Sequence, residues 1–207
     1  MVALAGIVLA SCSKKDDTPY PSIISDYVTV VGDDQGKVQY IIIDDGTQYS
    51  VDNEITGMRR GATARAVCGY VHTEQGHVRV YNILGIPLLG CIPDTVPPRM
   101  DPTGIASVWA SGGYVNLHLL PKTQGGLQKW GFINDSVTTN AQGGKTYHLS
   151  LFHDQGEDPV SYTGHLYASI QADSVADTRQ AGDSLVLYIN TFDNLRSWQF
   201  PLPASAQ

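Results

Sequence analysis

The chain has 207 residues, 42% hydrophobic and 16% charged, with 21 glycines, 11 prolines, 11 tyrosines and a formal net charge of -7. This is a globular composition, with no apolar run long enough to span a bilayer. The acidic balance excludes a general binder of phosphate backbones, so nucleic acid is not an expected partner.

Leu9-Ala10-Ser11-Cys12 comes first, a short apolar run ending in two small residues and a cysteine. At such a pattern a bacterial lipoprotein signal is cut and the new N-terminal cysteine acylated. Residues 1–11 therefore read as a signal peptide and Cys12 as the lipidated residue that holds the chain on a membrane. An export signal normally opens with positive charge, whereas Met1 to Leu9 carries none, which raises the question of an upstream start. Residues 12–25 form a polar, proline-broken leash through Lys14, Lys15, Asp16, Asp17, Pro19 and Pro21. Lys15-Asp16-Asp17 also resembles the signal that carries some outer-membrane lipoproteins to the cell surface. The expected location is the outer membrane, exposed at the surface where that signal acts.

From Asp26 the pattern turns strand-like. Tyr27-Val28-Thr29-Val30-Val31 is β-branched and aromatic, Gly32 to Gly36 is a turn, and residues 37–43 form a second strand. Asp44-Asp45-Gly46 turns the chain into residues 47–51, and two more strands follow at 63–72 and 77–86. Five short strands with glycine turns and no helical period predict a five-stranded OB-type β-barrel over residues 26–97. Four prolines between Ile92 and Pro102 mark the boundary. Residues 98–207 hold seven strand-like segments, at 104–110, 114–120, 127–133, 145–152, 160–171, 184–191 and 197–202. These predict an antiparallel β-sandwich, making the protein all-β. In the segment at 114–120, Val115, Leu117 and Leu119 share one face and Tyr114, Asn116 and His118 the other.

Few residues point to chemistry. Cys68 and Cys91 either form a disulfide, worth about 3 kcal/mol for a loop of that length, or remain inert thiols. The doublets Asp33-Asp34 and Asp44-Asp45 lack the alternating oxygens of a calcium loop and read as turns. His118, His148 and His165 each fall on the polar face of a C-terminal strand, where neighbouring strands bring imidazoles together if they share a sheet. Spacings this long guarantee no zinc site, and neither a metal nor another cofactor is expected. His72 and His77 flank a turn and read as solvated. Cys68 and His72 would lie about 13 Å apart on one strand, too far for proton transfer. Arg59, Arg60 and Arg65 form the one basic cluster, either a patch for an acidic ligand or an offset to nearby carboxylates. Trp109, Trp130 and Trp198 read as packing residues or as sugar platforms. No nucleophile elbow or phosphate loop is present, and an enzyme is not expected.

The lipidation motif, Asp26-Tyr27-Val28-Thr29-Val30-Val31-Gly32, Ile43-Asp44-Asp45-Gly46 and the second β domain together resemble the NigD-like lipoproteins. That resemblance implies an OB-type domain followed by a β-sandwich, secretion as a lipoprotein, and a role in bacteriocin immunity; it carries over no catalytic residue. The expected function is a cell-envelope lipoprotein acting as a non-enzymatic binding or immunity module. Its expected ligand is a protein or peptide, either a bacteriocin or an envelope protein. The alternatives are a surface glycan-binding lipoprotein and a metal-assisted hydrolase using the C-terminal histidines. The oligomeric state is left open.

Overall fold

The structure is a computed structural model that describes residues 22–141 and 143–205. Cys12, the Lys15-Asp16-Asp17 motif and residues 1–21 as a whole lie outside the described residues.

Strands β1 (Ile24–Gly32), β2 (Val38–Ile43), β3 (Gln48–Val51), β4 (Thr63–Glu74) and β5 (His77–Gly85) close into a barrel in the order β1-β2-β3-β5-β4. Strand β1 pairs with both β2 and β4, and β3 runs parallel to β5, so five strands complete the ring. Alternation fills the interior: Val28 and Val30 of β1, Ala66, Cys68 and Tyr70 of β4, and Val78 and Val80 of β5 are all buried. Both acidic doublets make turns, as expected. Asp33 Oδ1 accepts from the Gln35 and Lys37 amides, each at 2.8 Å, and Asp45 Oδ1 accepts from the Thr47 amide at 2.7 Å.

The second half contains β6 (Gly104–Ser111), β7 (Tyr114–Leu120), β8 (Lys122–Thr123), β9 (Lys129–Thr139), β10 (Lys145–Asp154), β11 (Tyr162–Thr163), β12 (Leu166–Gln171), the single-turn helix α1 (Ala172–Val175), β13 (Ser184–Asn190) and β14 (Leu195–Pro201). A three-stranded sheet, β12-β7-β6, faces a four-stranded one, β14-β13-β10-β9. Leu117 and Leu119 from the first meet Phe132, Leu149, Leu185 and Leu187 from the second in one apolar core. Pairing is antiparallel except for β10 with β13, which run parallel. Residues 160–171 are two strands rather than one, broken at Gly164, whose amide donates to the Pro121 carbonyl at 2.8 Å.

The cysteines are not bridged. Cys68 points into the barrel while Cys91 is exposed and bridges to Phe132 of the sandwich, so both are free thiols. Burial, with a smaller push from the Asp26 carboxylate, raises the Cys68 thiol to about 12. In a chain carrying Cys12→Ser, a thiol reagent at pH 8 is expected to label Cys91 alone in the native state and Cys68 only after denaturant is added. Labelling of both at equal rates would contradict the closed barrel.

A local lock sits at Asp158. It accepts from Thr123 Oγ1 at 2.5 Å, Gln124 N at 2.9 Å, Gly126 N at 3.0 Å and Gln128 Nε2 at 2.7 Å. These bonds, that from Thr123 foremost, lower its carboxyl from 3.8 to about 2. A depressed carboxyl stabilises the fold above its unfolded value and loses that contribution as pH falls through the folded one. Melting temperature is therefore expected to drop between about pH 4 and pH 2. In Asp158→Asn, already less stable at pH 7, this part of the pH slope should be missing.

Candidate functional site

The face of β7 that carries Tyr114, Asn116 and His118 is polar in pattern, yet Asn116 is 0% exposed because the barrel rests on it. Arg65 brings the two halves together. In β4, Ala66 and Cys68 face the barrel interior, so Arg65 faces outward, onto the three-stranded sheet. Its Nη1 lies 2.6 Å from Asp44 Oδ1, and its Nη2 donates to Asp44 Oδ2 at 2.9 Å and to Asn116 Oδ1 at 3.0 Å. Its Nε donates to Ser169 Oγ at 3.4 Å. Asn116 Nδ2 donates to Asp44 Oδ2 at 3.0 Å, Ser169 Oγ donates to Asn116 Oδ1 at 2.7 Å, and the guanidinium lies 4.0 Å over the Tyr114 ring. The ion pair holds one hydrogen bond, Nη2 to Oδ2, and one close contact, Nη1 to Oδ1, that falls outside hydrogen-bond geometry, so the amide, hydroxyl and aromatic partners are what help offset the cost of burying two charges. The expected Arg59, Arg60 and Arg65 patch is therefore broken up: Arg59 and Arg60 are exposed before β4, while Arg65 is 5% exposed and neutralised.

Beside this network the two halves leave a cleft of about 370 Å³. Tyr27 of β1, Trp109 of β6 and Tyr167 of β12 supply aromatic wall, and Asp26, Asp44 and Asp45 supply carboxylates. The Tyr27 hydroxyl donates to the Leu117 carbonyl at 2.8 Å, and its ring meets Trp109 edge-on at 4.8 Å. Burial and the neighbouring Tyr167 push the Tyr27 phenol above its ordinary value, keeping it a donor. Asp26 accepts from the Tyr70 hydroxyl at 2.8 Å. Because Asp44 is spent on Arg65, Asp26 and Asp45 remain to receive a cation or hydroxyl groups between aromatic faces. A more apolar cavity of about 500 Å³ opens between the two sheets near Val175 and Leu202, and no charged side chain lines it.

The three C-terminal histidines do not meet. His118 and His165 adjoin, with His118 Nε2 2.9 Å from His165 Nδ1. His148 stands on the opposite sheet, with Thr138 Oγ1 at 3.0 Å and the Tyr188 hydroxyl at 3.1 Å. Among the described residues no group of three His, Cys, Asp or Glu is placed to hold a metal. His77 instead contacts Asp52 at 2.8 Å, and His72 packs against Tyr49 and Tyr70. Of the tryptophans, Trp130 stacks on buried His153 at 3.7 Å and Trp198 lies under Arg196, leaving Trp109 in the cleft. Sequence reasoning missed Asp44, Asn116, Ser169 and Tyr27 as members of the site; in sequence Asn116 reads as one more polar-face residue of an amphipathic strand.

A family model, the NigD-like C-terminal beta sandwich domain, matches residues 97–202. Among solved structures the chain superposes on a NigD-like immunity protein from Bacteroides caccae with a TM-score of 0.65 and 23% identity, over 87% of this chain and 93% of that one. It also superposes on a candidate toxin-related protein from Parabacteroides distasonis with a TM-score of 0.68 and 18% identity, over 86% and 92% of the two chains. With a candidate lipoprotein from Bacteroides fragilis the values are 0.58 and 11%, over 90% and 100%. At such identities the likeness carries the fold. No protein of curated function matches.

Proposed function

This chain belongs to the NigD-like β-sandwich family, and from that premise we propose that it is a cell-envelope lipoprotein, tethered through Cys12, that acts as a binding module of the bacteriocin-immunity kind. The cleft between barrel and sandwich is its capture surface and a protein or peptide its ligand. One observation carries this reading: the cleft is prebuilt, because its two walls are pinned where Arg65 and Asp44 of the barrel bond to Asn116 and Ser169 of the sandwich and are not left to close on a ligand. The names of two relatives, an immunity protein and a candidate lipoprotein, agree with it.

The test is protection. A sensitive host expressing the chain is challenged with a bacteriocin panel, beside hosts expressing Cys12→Ser and the cleft variant Trp109→Ala. Survival that needs both Cys12 and Trp109 is the expected result. Equal killing of expressing and empty hosts across the panel would overturn the immunity reading. A second reading, glycan capture, draws on Trp109 standing beside Tyr27, Tyr167 and two carboxylates. It predicts retardation in a polysaccharide gel that Trp109→Ala abolishes. The three-histidine hydrolase has no such support, since His148 is on the far sheet.

A further inference from the structure

We propose that His118 and His165 form a two-histidine chelate for a divalent transition ion of tetragonal preference, copper(II) foremost. The two nitrogens are 2.9 Å apart. Two imidazoles bound to one ion at about 2.05 Å and about 90° place their nitrogens about 2.9 Å apart, whereas tetrahedral zinc needs about 3.3 Å. The spacing is that of a hydrogen bond between the rings, short enough for both nitrogens to reach one ion once His165 turns, and copper(II) tops the affinity order for imidazole sites.

The scaffold holds the two rings side by side. His118 belongs to β7, the middle strand of its sheet, and pairs across to Tyr167 of β12; His165 precedes Tyr167 by two residues and lies diagonally opposite. The Tyr167 ring stacks on His118 at 4.2 Å and 22°, which fixes the first ring. His165 is exposed and rotates to turn its lone pair toward a shared ion. In the free protein one ring donates a proton to the other across the 2.9 Å gap. On binding, that proton moves to the far nitrogen of its own ring, both near nitrogens present lone pairs, and no bond is broken elsewhere. Neither far nitrogen has a protein partner among the described residues, so each is open to carry the proton. Water completes the coordination. The site adjoins the cleft through Tyr167, which lines one and stacks on the other, but it does not depend on the immunity reading.

The experiment titrates copper(II) chloride into the chain carrying Cys12→Ser and Cys91→Ser, which removes the lipid site and the exposed thiol that would reduce the ion. Calorimetry reads stoichiometry, and electron paramagnetic resonance reads the number of equatorial nitrogens. One tight ion per chain with two imidazole nitrogens is expected. His118→Ala and His165→Ala should each remove one nitrogen and weaken binding by at least about tenfold, no less than the loss of an outer partner of a metal ligand causes. His148→Ala should bind as the parent does. Near-UV circular dichroism checks that each variant keeps its fold, and His118→Gln serves in place of His118→Ala if that variant does not. Unchanged copper affinity in either pair variant, or a two-nitrogen spectrum that survives His118→Gln, would overturn the proposal.

Discussion

Arg65→Ala is expected to cost about 3–5 kcal/mol of stability, the scale for removing one member of a buried ion pair. The Asp44 side chain, 11% exposed, would lose its cation partner, and Asn116 and Ser169 would each lose a donor. Arg65→Lys should recover only part of this, because an ammonium cannot engage two carboxylate oxygens, an amide and a hydroxyl from one plane. The paired replacement Arg65→Met with Asp44→Leu separates net worth from the penalty of orphaning. It should unfold at higher urea than Arg65→Ala, since apolar substitutes often equal or exceed a buried pair. A loss below about 1 kcal/mol for Arg65→Ala, the range of an exposed pair, would show that solvent reaches the network and that the halves are joined otherwise.

Gly112→Ala should cost about 2–4 kcal/mol, combining a left-handed backbone with an overpacked contact. Gly112 lies in the turn between β6 and β7 with φ of +57°, and a Cβ there would stand 2.2 Å from the Asp44 carbonyl oxygen and 2.7 Å from its Cα. Backbone cannot give way as a side-chain tip does, so the sandwich hairpin must withdraw from the barrel turn it touches. Gly113→Ala is the internal control. Its φ is +82°, but the nearest atom to a new Cβ is Pro203 Cγ at 3.9 Å, so only the conformational cost of about 1 kcal/mol applies. Urea midpoints of the two variants should differ accordingly, and Gly112→Ala alone should impair whatever the cleft captures. Equal midpoints would mean that the turn rearranges freely and that the contact with Asp44 does not hold the cleft.

The barrel was legible because each of its strands announces itself twice: β-branched or aromatic residues run between turn residues, and alternate positions are apolar. The sandwich was legible as strands but not as a neighbourhood. Periodicity puts His118, His148 and His165 on polar faces, and all three are partly or wholly exposed, yet nothing local says that β10 joins the sheet opposite β7 and β12. The cleft was least legible. Asp44 sits in a turn that its sequence fully accounts for, Arg65 beside two exposed arginines, and Asn116 on a face that solvent would accept; their meeting depends on how two finished β units dock. The break at Gly164 was hidden for a related reason, since the Pro121 carbonyl that receives its amide is far away in sequence.

The parallel pairing of β10 with β13 bears on how the chain reaches this state. Strand β13 lies between β10 and β14, so the edge of β10 nearest it has no mate until the final segment of the polypeptide is available. In the meantime a bare row of amides and carbonyls flanks Leu149 and Leu151, both buried once folding is complete, a surface on which another nascent copy could add a strand. Closing a ladder across so long a stretch is entropically slow compared with forming either adjacent hairpin. Folding should thus end with insertion of β13, and chains truncated before Ser184 should be those that aggregate.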